Sequence, residues 1–317
     1  MLFVLYFMKC YSEESNGVAW REWKHMFNKT YDNKSKEKKR KEIWEKNILK
    51  INEFNARNGS FKQAVNKFSD MTSEEVLSII GGLHPESETT TESLYTSALN
   101  KVEIPDNIDW RDKNVVTQVK NQECYGSCWA FSAAGSLEGQ YARKTGKLVS
   151  FSEQQLIDCS WSYGNKGCTG GLIINAFKYW EKHGAEREKD YPFIGRDLHC
   201  KYQRSRIVSK LKSFVRIPRG DCTQLRRAVA EIGPVSVGID VSQDSFHSYS
   251  HGVYKSGRCS STKLNHGVLV VGYNMEGSGY WIVKNSWGKR WGEAGYFRID
   301  MRDNMCGICT SALYPVI

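Results

Sequence analysis

The apolar residues of this chain change period part-way along it. From Cys128 they recur three or four residues apart, at Phe131, Ala134, Leu137 and Tyr141, until Gly146. That is the spacing of one helix face closed by a glycine. A second helix is expected from the cap Ser152-Glu153-Gln154-Gln155 to Cys159, and a third over 172–183 before Gly184. Beyond about Pro218 the apolar segments become short and β-branched, at 234–239, 268–273, 280–283 and 296–299. A helical half followed by a strand half predicts an α+β chain of two lobes with a cleft between them.

Cys128 therefore stands at a helix N-terminus, just after Gly126 and Ser127. Unpaired N–H groups and the positive end of the helix dipole favour a thiolate there. Taken alone, Cys128 reads more simply as one more half-cystine among ten cysteines. Two later stretches reverse that. His266 opens the apolar run 268–273, where a strand end holds an imidazole rigidly. Asn285 follows the run 280–284, where its amide can hold that imidazole by one hydrogen bond. Thiol, imidazole and amide are the parts of a nucleophile, its base and the group that orients the base.

The run Gln122-Glu123-Cys124-Tyr125-Gly126-Ser127-Cys128-Trp129 precedes His266 by 138 residues and Asn285 by 157, both counted from Cys128. With Asn285-Ser286-Trp287-Gly288, Trp291-Gly292 and Gly295-Tyr296, it resembles the papain-like cysteine peptidases, and their cathepsin L-like branch in particular. The resemblance covers nearly the whole chain. One departure is plain: the half-cystine that the family places three residues before the nucleophile is Tyr125 here, and Cys124 stands one place earlier.

The resemblance implies a papain-like two-lobe fold, a helical lobe over 104–217 and a β-barrel-like lobe over 218–317, behind a helical inhibitory propeptide. It implies that Cys128 attacks a scissile carbonyl and that His266 protonates the leaving amine. Asn285 would orient His266, and Gln122 with the Cys128 backbone N–H would hold the oxyanion. Gly126, Gly170 and Gly171 would take the substrate as an extended strand, with Thr169 where asparagine is more usual and Trp287 shielding the His266–Asn285 bond. The pocket for the residue two before the scissile bond would be lined by Leu172, Ile173, Gly238, Leu264 and Ser311, beside Asn265. It is uncharged, so Leu, Val or Phe is expected there over Arg. No long insertion caps the cleft, which implies an endopeptidase. Implied bridges are Cys159–Cys200, Cys259–Cys306 and Cys124–Cys168. Cys10, Cys222 and Cys309 have no family partner, and the last two read either as buried thiols or as an extra bridge.

Ahead of these lobes, Trp20, Trp23, Met26 and Phe27, and then Ile43, Trp44, Ile48, Ile51 and Phe54, lie at helical spacing. Arg40, Trp44, Asn47, Ile51 and Asn55 match the spacings of the family's propeptide helix, and Ala64-x-Asn66-x-Phe68-x-Asp70 resembles its second motif. The glutamate expected four residues before Arg40 is Lys36, and Glu37 is expected to compensate through Lys41. Residues 16–80 are read as propeptide, 81–103 as an exposed connector carrying the activation cleavage, and 104–317 as the mature enzyme. The apolar run 2–8 fits a signal peptide over 1–15, although no Lys or Arg precedes it, and a truncated or mis-started N-terminus is the alternative.

A formal charge of +10 raises nucleic acid and membrane surfaces as partners. The basic run 34–41 is interleaved with glutamate and lacks aromatic platforms, so it reads as a solvated helix face; no nucleic acid and no membrane partner is expected. Ten cysteines and the sequons at Asn28, Asn33 and Asn58 suit the secretory pathway, ending in lysosome, endosome or the extracellular space. No Cys-x-x-Cys pair suggests zinc, and no metal or cofactor is expected. The expected partners are protein and peptide substrates, the chain's own propeptide, and cystatin-like inhibitors, acting on a monomer. The rival reading is a catalytically silent relative that binds proteins, to which the Cys124 shift lends weight.

Overall fold

A computed structural model describes residues 13–84, 103–124 and 126–317. Cys10, Tyr125, nearly all of the expected signal segment and most of the expected connector lie outside them. Helix α1 (Glu13–Met26) packs on α2 (Lys34–Asn55) through three tryptophans. Trp20 stacks on Trp23 at 5.2 Å and meets Trp44 edge-on at 5.4 Å, which gives this segment a small core of its own. Asn33 caps α2 by accepting the Lys36 N–H. The charges arrange themselves differently from expectation. Glu37 pairs with Lys24 of α1 and not with Lys41, whose partner is Glu45. Arg40 reaches across to Glu75 with two hydrogen bonds of 2.6 and 2.9 Å. The missing glutamate of the family helix is therefore supplied from α3 (Ser73–Ile80), whose Thr72–Glu75 capping box fixes that carboxylate in place.

The first lobe is built on α4 (Cys128–Thr145), α5 (Glu153–Cys159) and α6 (Ile173–His183), which share a core of Trp129, Leu137, Leu156, Phe177 and Trp180. Ser152 caps α5, as its sequence signals. The second lobe is one twisted sheet. Its strands are β2 (Asn107–Asp109), β5 (Ser213–Arg216), β6 (Val235–Ile239), β7 (Tyr249–Tyr254), β8 (His266–Asn274), β9 (Tyr280–Lys284), β10 (Tyr296–Asp300) and β11 (Ala312–Val316). A separate ribbon joins β3 (Ala185–Glu186) to β4 (Ile207–Ser209). The order through the sheet is β7-β10-β9-β8-β6-β11-β5, with β2 on β8. The N-terminal segment adds its own strand, β1 (Phe61–Gln63), at the β7 edge. Two helices interrupt the strands of this half: α7 (Cys222–Glu231), which buries Leu225, Ala228 and Val229 on one face, and the single turn α8 (Asp244–His247).

The lobes are locked along α4 and β8. Ser132 Oγ donates to the Val268 carbonyl at 2.6 Å, and Ser236 Oγ donates to the Ser132 carbonyl at 2.8 Å. Gly267 lets the Cys128 carbonyl come so close that a Cβ there would stand 3.2 Å from it. Small polar residues thus bring the start of α4 against the start of β8, which is where Cys128 and His266 lie.

Candidate active site

Cys128 is the first residue of α4, buried, and the free cysteine among the described residues. The loop before it turns at Gly126, whose φ of +81° is strained for other residues, and a Cβ there would stand 2.6 Å from the Cys168 carbonyl. Cys124 reaches Cys168 in a bridge with 5.4 Å between Cα atoms, so the loop absorbs the one-residue shift read in the sequence. Cys159–Cys200 and Cys259–Cys306 are joined as well, and Cys222–Cys309 form a fourth bridge.

His266 opens β8 and is fully buried. Its Nε2 lies 2.9 Å from Asn285 Oδ1. That oxygen also accepts the Ser286 N–H at 2.8 Å, which identifies it as the acceptor and His266 Nε2 as a donor. Trp287 covers the pair, its ring centroid 4.9 Å from the imidazole, and Phe68 packs edge-on against Trp287 from the N-terminal segment. Gln122 donates its backbone N–H to the Ser286 carbonyl at 2.7 Å, and Ser286 Oγ donates to Gln122 Oε1. The Gln122 amide is thereby oriented, while its buried Nε2 has no partner among the described residues. Ser286 carries no signal of its own in the sequence, yet it fixes both amides.

The cleft is filled by the chain itself. Residues 81–84 were expected to be exposed linker, but Gly82 and Leu83 are buried. Gly82 and Leu83 donate their N–H groups to the Asn265 carbonyl at 3.0 and 3.2 Å. His84 N–H donates to the Gly171 carbonyl at 3.0 Å, and Gly171 N–H to the Gly82 carbonyl at 2.8 Å. The pairing of Leu83 with Gly171 is parallel. Composition misleads here because Gly82, Leu83 and His84 gain their order from Gly171 and Asn265, about 90 and 180 positions further along. Leu83 enters the expected pocket: a Cβ on Gly238 would lie 2.6 Å from Leu83 Cδ2 and 3.0 Å from Leu264 Cδ1. Leu172, Ile173 and Leu264 share its apolar cluster, and Ser311 accepts the Gly238 N–H through its carbonyl at 2.8 Å. Gly170 lies beneath His84.

This plug reverses the electrostatics expected from helix position alone. Burial pushes the Cys128 thiol up to about 11, against the pull of the Gly267, Trp129, Gly82 and Cys128 N–H groups. Burial likewise pulls His266 down to about 4, opposed by the two hydrogen bonds that the protonated ring alone could donate together, to Asn285 and to the Ile80 carbonyl 3.2 Å from Nδ1. Thiol and imidazole are both uncharged while residues 80–84 cover them. Among the described residues no group of His, Cys, Asp and Glu could hold a metal ion, and no helix is long and apolar enough to cross a membrane.

A thiol and an imidazole on facing lobes, stoppered by the chain's own leading segment, describe a thiol-dependent hydrolase in its proenzyme form. Residues 104–316 match the model of the papain family cysteine proteases, and residues 20–76 match that of the cathepsin propeptide inhibitor domain. The chain belongs to the papain family of cysteine proteases. More narrowly, it is a cathepsin L-like zymogen. It is 45% identical over 314 residues to a cathepsin L-like protein of Caenorhabditis elegans, covering 96% of this chain and 93% of that one. It is 44% identical over 316 residues to procathepsin L of Mus musculus, with the same coverage. Among solved structures, digestive procathepsin L 3 of the Tenebrio molitor larval midgut superposes with a TM-score of 0.90 at 40% identity. That match covers 95% of this chain and 99% of the other.

Proposed function

We propose that the mature enzyme cleaves within polypeptides, with Cys128 as thiolate attacking the carbonyl and His266 as imidazolium protonating the leaving amine. Asn285 orients the imidazole. The Cys128 N–H and Gln122 Nε2 receive the oxyanion, and water deprotonated by His266 then hydrolyses the thioester. Once residues 80–84 leave, water and the α4 N-terminus stabilise the thiolate, the imidazole regains its basicity, and the proton moves from sulfur to His266.

The observation that carries this reading is the seating of Leu83. This leucine, at the start of the connector that follows the inhibitory propeptide, fills the pocket between Gly238 and Leu264, in parallel pairing with Gly171. A substrate paired antiparallel on the same glycine edge runs the opposite way, so the plug occupies the cleft without presenting a cleavable bond. No charged side chain is among the residues assigned to that pocket, which favours Leu, Val or Phe over Arg two residues before the scissile bond. Residues 16–80 act as the inhibitory propeptide, cleavage falls within 81–103, and residues from 104 remain as a monomeric enzyme open to cystatin-like inhibitors. Four bridges fit folding on the secretory route, directed by a signal over 1–15, with lysosome, endosome or the extracellular space as destination.

The test is a set of peptide amides differing only at that position, cleaved by the acid-processed protein with Cys128→Ser as control. Leu, Val and Phe should exceed Arg by at least about tenfold in kcat/KM. Preference for Arg would refute the pocket assignment.

A further inference from the structure

The backbone behind this pocket turns through the left-handed region. Asp303, Asn304 and Cys306 have φ of 56°, 48° and 51°, and Gly307 has 77°. That region suits glycine and is tolerated by Asp and Asn, so Cys306 is the residue held there against its preference. This turn touches the pocket from outside. Leu264 Cδ2 lies so close to Gly307 that a Cβ would overlap it, while Leu264 Cδ1 faces Gly238 from the pocket side. Further along the same stretch, the Ser311 carbonyl takes the Gly238 N–H. The stretch 303–311 therefore backs both walls against which Leu83 rests.

Two bridges hold it. Cys259–Cys306 ties its first half to the loop that leads to Leu264. Cys222–Cys309 ties its second half to the start of α7, which is anchored by the fully buried Leu225, Ala228 and Val229. Hydrogen bonds complete the clamp. Asn304 Oδ1 accepts the Cys309 N–H and Asn304 Nδ2 donates to Thr310 Oγ1, both at 2.8 Å; the Cys309 carbonyl accepts the Gly220 N–H at 2.8 Å. Cys222 and Cys309 are the two described cysteines for which the family resemblance offered no partner, and neither is near the reacting sulfur in the mechanism.

We propose that the Cys222–Cys309 bridge is a specificity-determining positioning element. By pinning 303–311 to α7 it keeps Gly307 against Leu264 and Ser311 against Gly238, and so sets the width of the pocket. The inference rests on the pocket assignment of the preceding subsection. Without the bridge the stretch is tied at Cys306 alone, its Cys309 half swings away from α7, Leu264 follows Gly307 outward, and the pocket loses its grip on a leucine. An alanine at the same substrate position, which never reaches the walls, loses nothing. The chemistry at Cys128 and His266 is left as it was.

The test compares the activated wild type with Cys222→Ser/Cys309→Ser on two peptide amides carrying Leu or Ala two residues before the cleaved bond. The Leu-over-Ala ratio of kcat/KM should fall about tenfold, close to the worth of one well-fitted methylene. The fall should lie in KM, with kcat changed by less than about twofold. Cys159→Ser/Cys200→Ser, which opens a bridge in the helical lobe, should leave the ratio unchanged and so separates loss of stability from loss of fit. If the serine pair does not fold, Cys222→Ala/Cys309→Val refills the apolar volume at the buried Cys309 and should show the same fall. An unchanged ratio in the folded variant, or a fall in kcat alone, overturns the inference. A wild type that shows no Leu-over-Ala preference overturns the pocket assignment instead.

Discussion

Gly82→Ala should open the zymogen. Gly82 lies directly on Gly126, and an added Cβ would overlap the carbonyl, C and Cα of that residue. All three atoms are backbone in a loop tied down by the Cys124–Cys168 bridge, so no side-chain rotation relieves the clash. The segment 81–84 must lift. Lifting breaks the four backbone hydrogen bonds to Asn265 and Gly171, each worth roughly 1 kcal/mol net. It also withdraws Leu83, whose burial contributes about 2 kcal/mol. Part of this is recovered as water re-forms contacts, leaving a loss of roughly 3–6 kcal/mol and an open fraction raised about 10²- to 10⁴-fold. The β1–β7 pairing and the contact of Phe68 with Trp287 stay in place, so the propeptide remains bound beyond that segment. The assay is the initial rate at which a peptide epoxide alkylates Cys128 in the unprocessed protein at neutral pH, followed by intact mass. A rate equal to wild type, with the propeptide still attached, would refute the argument that residues 81–84 are what silences the thiol.

Gln122→Ala should lower kcat by about 100- to 1,000-fold with KM nearly unchanged, because its amide is asked to act in the transition state alone; an effect confined to KM would contradict that role. The closed zymogen should also lose stability in acid. In the Cys128→Ser protein, where no thiolate can form beside the ring, His266 is held near 4 under the plug and returns to about 6.5 when exposed, so the closed form is fully favoured above pH 6.5 and loses up to about 3 kcal/mol as pH falls toward 4. In the Cys128→Ser zymogen, the NMR signal of His266 should stay that of a neutral ring down to pH 5, and a midpoint near 6.5 would contradict the burial argument. The thiol, held near 11, acts in the opposite sense: its burial as a neutral group favours the closed form in acid, and that contribution is lost as pH rises through the lower value of the exposed thiol.

Much of the site was legible because its members sit at element ends that local pattern reveals. Gly126 and Gly146 bracket the helix of Cys128, His266 opens an apolar run, and Asn285 closes another. What the sequence concealed depends on distant partners. Ile80, Gly82 and Leu83 acquire their roles only against His266, Gly126 and Gly238. The Cys222–Cys309 bridge spans 87 residues with no local sign of its pairing. The helix N-terminus points to N–H groups that favour the thiolate, but burial under a segment 45 residues earlier is the larger effect. Glu37 misled for the same reason, since its i,i+4 neighbour Lys41 competes with Lys24 on another helix.

The most direct measurement is active-site titration of the acid-processed enzyme with a peptide epoxide, alongside Cys128→Ser, with mass spectrometry of the labelled peptide. One equivalent of label on Cys128, absent from the variant and from the intact zymogen at neutral pH, is the predicted result. A folded enzyme freed of its propeptide that takes no label at Cys128 would contradict the assignment of that thiol as the nucleophile.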